Sequence, residues 1–175
     1  MRKEVFMALE VYSWAVLAYA FGFFPIAYAL LGKGDAGTAF KAGLLPRIVT
    51  ILNAFILYSL TDYLGATILG IAGMTFTVVG IAGFYTLQAK TLSSVVLFNG
   101  IFLVTYGLYI MGVVAAGNLA LISLGLVVFL YGIACFGGGL PAFGMSAKAG
   151  GGLIAICSAI NFILAITWQF GWLVP

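Results

Sequence analysis

The run GNLALISLGLVVFLYGIACFG (117–137) is almost wholly apolar: its 21 residues carry no charge and no proline. A helix of that length rises about 30 Å, the thickness of a bilayer's hydrocarbon core. Five comparable runs surround it, at 8–31, 41–60, 64–86, 91–113 and 150–172. Only 6% of the residues are charged, and the mean hydropathy is +1.25. A soluble domain carries about a quarter charged residues. This chain lacks the polar surface that water requires, and the weak alternation of a membrane barrel is missing. The sequence predicts an all-α integral membrane protein of six transmembrane helices in a single domain, embedded in the lipid bilayer.

The loops between the runs are short, so sequential helices are expected to be antiparallel. Arg2, Lys3 and Glu4 precede the first apolar run in the manner of a leader peptide. That run continues through Pro25 to Lys33 and is read as the first span. The odd-numbered loops hold Lys33, Lys41, Lys90 and Lys148, with Arg47 just inside span 2; these five basic residues compare with two, Arg2 and Lys3, on the other side. The positive-inside rule then places those loops in the cytoplasm and both termini outside a plasma or inner membrane.

Three segments repeat a pattern: LNAFIL (52–57), FNGIFL (98–103) and INFILA (160–165). Each follows a small-residue element, PIAYA (25–29), GIAGF (80–84) or GIACF (132–136). Such self-similarity points to one repeated unit. The unit would be a helical hairpin, used three times over about 8–60, 64–113 and 117–172, and three hairpins in a ring enclose a passage.

Glycines recur at seven-residue intervals: Gly73 and Gly80, Gly100 and Gly107, and Gly125, Gly132 and Gly139. That spacing keeps them on one helix face, where small residues let membrane helices approach closely. Pro25 should kink span 1, whereas Pro46 falls where a helix start tolerates it. The stretch FGGGLPAFGMSAKAGGG (136–152) reads as the one flexible loop. Trp14, Trp168 and Trp172 fit an interfacial aromatic belt. Cys135 and Cys157 lie within spans and read as small hydrophobes.

The intramembrane polar residues are the candidate pore-lining groups. Asn53, Asn99 and Asn161 fall in spans 2, 4 and 6, and an amide in hydrocarbon needs partners. Thr50 shares a face with Asn53, Tyr106 with Asn99, and Ser158 and Trp168 with Asn161. Two readings stand. In one, each amide hydrogen-bonds a neighbouring helix; in the other, the three converge on a pore and replace a solute's water. Glu10 and Asp62 are candidates for an outer vestibule or simply reach interfacial water. The chain contains no histidine, so a histidine relay and histidine–haem ligation are excluded. No phosphate loop, acidic metal cluster or nucleophile–base pair is present. Neither an enzyme, nor a cofactor, nor a nucleic-acid partner is expected.

The segment GMTFTVVGIAGFYTLQAKTLSSVVLF (73–98), and LLGK (30–33) at the end of span 1, resemble the urea and short-chain amide channel family. The Gly-x-Thr-aromatic start, the Val-Gly-Ile core and the later Leu-Phe carry the likeness. The resemblance implies three two-helix hairpins around a channel, termini outside, and a homo-hexamer. It also implies a filter, from which this chain departs. Ile26 stands for the family's Asn in span 1, Leu124 and Val128 for paired Trp in span 5, and Ser158 for a Glu in span 6. The acetate-uptake channels share the six-helix plan, but their Asn-Pro-Ala-Pro-Leu-Gly signature is not found here. The expected function is passive transport of a small neutral solute such as an amide, urea or ammonia. The alternative is a non-catalytic subunit of a larger membrane complex. A proton- or sodium-coupled carrier would need an acid deep in a span, and there is none.

Overall fold

The computed structural model describes residues 2–85 and 88–171, the side chains of residues 2–9 and of Arg47 excepted. Trp172 and the side chains of Arg2, Lys3 and Arg47 therefore lie outside the described part. Among the described residues seven α-helices make up six segments long and apolar enough to span a membrane: α1 (Arg2–Leu30), α2 (Ala36–Ala42), α3 (Leu44–Ser59), α4 (Tyr63–Ala82), α5 (Ala89–Tyr109), α6 (Leu119–Gly139) and α7 (Ala147–Gln169). Helices α2 and α3 together form the second span, broken at Gly43. A π-helical turn (Ile110–Val114) prolongs α5, and a 3-10 turn (Leu140–Phe143) prolongs α6.

Short polar side chains set several helix starts by accepting from otherwise unpaired backbone N–H groups. Asp35 caps α2 through Thr38, and Asp62 caps α4 through Gly65. Asn118 caps α6 through Ala120 and Leu121, and Ser146 caps α7 through Ala149. Between α6 and α7, Gly144 takes φ 113°, which a side chain would resist.

The spans pack in sequential order around a ring that α7 closes against α1. The most extensive contacts join α3 to α4, α5 to α6 and α7 to α1; the slenderest seam is between α4 and α5. The tightest pairs are thus offset by one helix from the hairpins joined along the chain.

The glycine stripes explain two of those tight pairs. A Cβ at Gly107 would lie 2.6 Å from the Phe129 backbone nitrogen, and one at Gly132 would lie 2.8 Å from the Gly100 carbonyl. Helices α5 and α6 therefore meet backbone to backbone and antiparallel. Gly73 and Gly80 likewise receive Ile51 and Leu44 of α3. With no hydrophobic drive between helices in lipid, such contact supplies the van der Waals attraction that holds them.

Two expectations change. The segment 136–152 is not one long loop: α6 and α7 extend into it, leaving only residues 144–146 outside helix. Its glycines serve close approach, because Gly137 and Gly150 face one another across α6 and α7, and Gly151 faces the Ala27 carbonyl of α1. Helix α1 continues on both sides of Pro25, where the missing proline N–H removes one backbone donor. Trp14 is 61% exposed on the outer face as a belt residue would be, but Trp168 is 1% exposed and ties two helices together.

Candidate functional site: an axial cavity crossed by an aromatic layer

Helices on opposite sides of the ring scarcely touch, so side chains must fill the middle. Tyr19 and Phe23 stand four residues apart on one face of α1. They meet Phe76 of α4 and Tyr131 of α6. Ring centroids lie 4.6 Å apart for Tyr19 and Phe76, 4.9 Å for Tyr19 and Tyr131, 5.0 Å for Phe23 and Phe76, and 5.6 Å for Phe23 and Tyr131. These spacings are those of mutually attractive aromatic pairs. The Tyr131 hydroxyl donates to the Val16 carbonyl at 2.6 Å, fixing the layer to α1.

A cavity lies on each side of this layer. The larger, about 250 Å³, reaches toward the end that carries Lys33, Lys41, Lys90 and Lys148 and is partly open. Ile26, Phe40, Thr75, Val79, Tyr85 and Ser93 are among its walls. Phe40 comes from the short α2, whose Lys41 sits 5.4 Å above the Phe84 ring. The smaller chamber, about 30 Å³, lies toward the opposite end, between Tyr12, Tyr19, Asn99, Leu103, Leu124 and Val128. Phe23, Phe76 and Cys135 border both. One water needs about 10–15 Å³ by this measure, so the chamber has room for about two.

At its far end the chamber meets Tyr12, whose hydroxyl donates to Asp62 Oδ2 at 2.6 Å. Asp62 Oδ1 accepts from the Gly65 backbone. The same carboxylate thus caps α4 and holds a chamber wall. A side chain at Gly65 would collide with the Tyr12 hydroxyl. Glu10 is exposed on α1, two residues before Tyr12.

The three amides do not meet in one cavity. Asn99 lines the chamber, donates weakly to Cys135 Sγ at 3.6 Å, and has no partner for Oδ1. Asn161 donates to the Val127 carbonyl at 3.3 Å, joining α7 to α6, with its own Oδ1 unpartnered. Asn53 is buried with Nδ2 unpartnered and borders neither cavity. The Ser158 hydroxyl is buried and unpartnered, also away from both.

Thr50 donates back to the Pro46 carbonyl within its own helix. Tyr106 is half-buried against the Phe102 ring at 4.3 Å. Trp168 Nε1 donates to Ser123 Oγ at 2.9 Å, and Gln169 Nε2 to Ser13 Oγ at 2.8 Å. Ser13 in turn donates to the Ala165 carbonyl. These bonds pin the end of α7 to α6 and α1.

The residues that build the site are mostly aromatic, and their signal in the sequence was slight: Tyr12, Tyr19 and Phe23 share one face of α1 at spacings of seven and four. Both cysteines are free and buried, as small hydrophobes would be, but Cys135 also borders the junction of the cavities. Among the described residues no cluster of potential metal ligands occurs. No family model, curated protein or solved structure matches the chain.

Proposed function

We propose that the chain is a passive conduit for a small neutral solute, which crosses along the ring axis through the two cavities. The observation that carries this reading is the arrangement of the cavities: they lie end to end, share Phe23, Phe76 and Cys135, and are separated only by side chains. No charged side chain is among the described residues of either wall, so an ion would shed its water without compensation. The resemblance to amide channels supports the same reading. Ile26 borders the larger cavity, and Leu124 and Val128 the chamber, where that family carries its polar filter. We further propose that the basic end faces the cytoplasm, that the chain derives from three related two-helix units, and that it assembles as a homo-oligomer.

Reconstituted vesicles test the conduit. In stopped-flow measurements, ammonia, methylamine, formamide and urea are compared with protein-free vesicles. Ala82→Trp places a bulky ring in the larger cavity and should return permeability to background. Met74→Trp, on the lipid-facing side of the same helix, should leave it unchanged. Equal permeability in the two variants would count against an axial route.

One observation favours the alternative reading as a subunit of a membrane complex. An outward groove of about 410 Å³ between α3 and α4 carries Phe55, Tyr58 and Tyr63. A stable homo-oligomer on purification alone would favour the conduit, and instability without other chains the subunit.

A further inference from the structure

The fold leaves two buried polar atoms without partners around the same chamber. They are the Tyr19 hydroxyl, near the Thr50 side chain of α3 but without a well-formed hydrogen bond, and Asn99 Oδ1; both residues line the chamber and each is 4% exposed. A buried polar group left unmade is costly, and such groups in native folds call for an explanation. The remaining unpartnered atoms, on Asn53, Ser158 and Asn161, border neither cavity. The orphans at the chamber are therefore ones that a transient occupant could satisfy.

Their chemistry constrains that occupant. The Asn99 Nδ2 end is turned to Cys135 Sγ, and its carbonyl oxygen has no partner in the fold. A carbonyl oxygen only accepts, so the occupant must donate. The Tyr19 hydroxyl can donate or accept, and so completes a second contact to a molecule with a lone pair. The chamber's 30 Å³ admits a body of about two waters. Leu103, Leu124 and Val128 supply apolar walls, and none of the lining residues is charged.

We propose that this chamber is a single-molecule station, between Tyr19 Oη and Asn99 Oδ1, that selects a neutral N–H or O–H donor smaller than urea. The station rests on the conduit reading and gives it a solute class: molecules of the size of ammonia, methylamine or water. Urea and acetamide, each with four non-hydrogen atoms, exceed the space.

Vesicle permeability to ammonia, methylamine, water, urea and acetamide tests the station. One or more of the three small donors should exceed protein-free vesicles, with urea and acetamide at background; which donor passes identifies the source. Tyr19→Phe keeps the ring and removes the hydroxyl, and should slow the small donors about tenfold, the loss of one hydrogen bond in transit. Asn99→Leu should slow them at least as much, and Tyr19→Phe serves alone if that variant fails to fold. Leu103→Ala enlarges the chamber and should admit urea. Urea crossing the unaltered protein as fast as ammonia, while remaining blocked by Ala82→Trp, would overturn the station but leave the conduit. Unchanged rates in both Tyr19→Phe and Asn99→Leu would do the same. If none of the solutes exceeded protein-free vesicles, the conduit itself would fall.

Discussion

Asn99 and Asn161 occupy similar sequence settings and do different work. Each follows a large apolar residue and faces α6. Asn161 reaches a backbone carbonyl there and is a helix tie; Asn99 reaches only a sulfur and borders a cavity. The difference follows from what α6 presents opposite each amide, Val127 in one case and Cys135 in the other. Asn161→Leu should therefore cost about 0.6–2 kcal/mol of stability in bilayer-mimetic unfolding, the range for such interhelical bonds. Its effect on vesicle permeability should be small. A large permeability loss with unchanged stability would reverse the assignment. The amides were legible in the sequence as polar groups needing partners, but which partner each finds depends on helix rotation, and no local pattern encodes that.

Element by element, the short α2 shows how capping and cavity are connected. Asp35 accepts from the Thr38 backbone N–H at 2.6 Å and starts a helix whose Phe40 walls the larger cavity. Hydrogen bonding from the Thr38 backbone, then from its side chain, holds the Asp35 carboxyl below the usual carboxylate range, with the Gly37 backbone and Lys41 adding smaller contributions. A lowered folded value means that the cap is fully present above the ordinary carboxylate titration and is lost as pH falls through the lowered one. Hydrogen exchange across α2 should accordingly stay slow through mildly acidic pH and quicken only below it. In Asp35→Asn that step should vanish; loss of protection already near neutral pH would contradict the cap's role.

The six apolar runs, the seven-residue glycine stripes and the tolerated Pro46 were all readable from sequence, because each depends on local spacing and composition. The break at Gly43 and the π-helical turn after Tyr109 were not. The turn after Tyr109 lies within a continuous apolar run whose hydropathy gives no sign of a change in winding, and Gly43, between Lys41 and Arg47, reads as the start of span 2 rather than as a joint between two helices. The glycines of 136–152 misled for a related reason: glycine signals freedom in a loop and closeness in a helix pair, and only the presence of a partner distinguishes the two. Gly137 and Gly150 have that partner in each other.

At the scale of the whole molecule, six helices in sequential order surround an axis that backbone does not fill. Tight glycine contacts and polar ties hold the circumference, so the centre is left to side chains, and four aromatic rings cross it. We propose that this layer is the barrier on a transport path rather than a solid core. Phe76 is the residue that tests it, because it contacts Tyr19 and Phe23 and borders both cavities. Phe76→Leu keeps the site apolar and removes the ring. The direct measurement is stopped-flow permeability of proteoliposomes to ammonia and methylamine, with and without that substitution. A barrier made of these rings requires a faster rate in Phe76→Leu at equal protein content; a rate equal to that of the unaltered protein, with the variant folded, would make the layer a solid core.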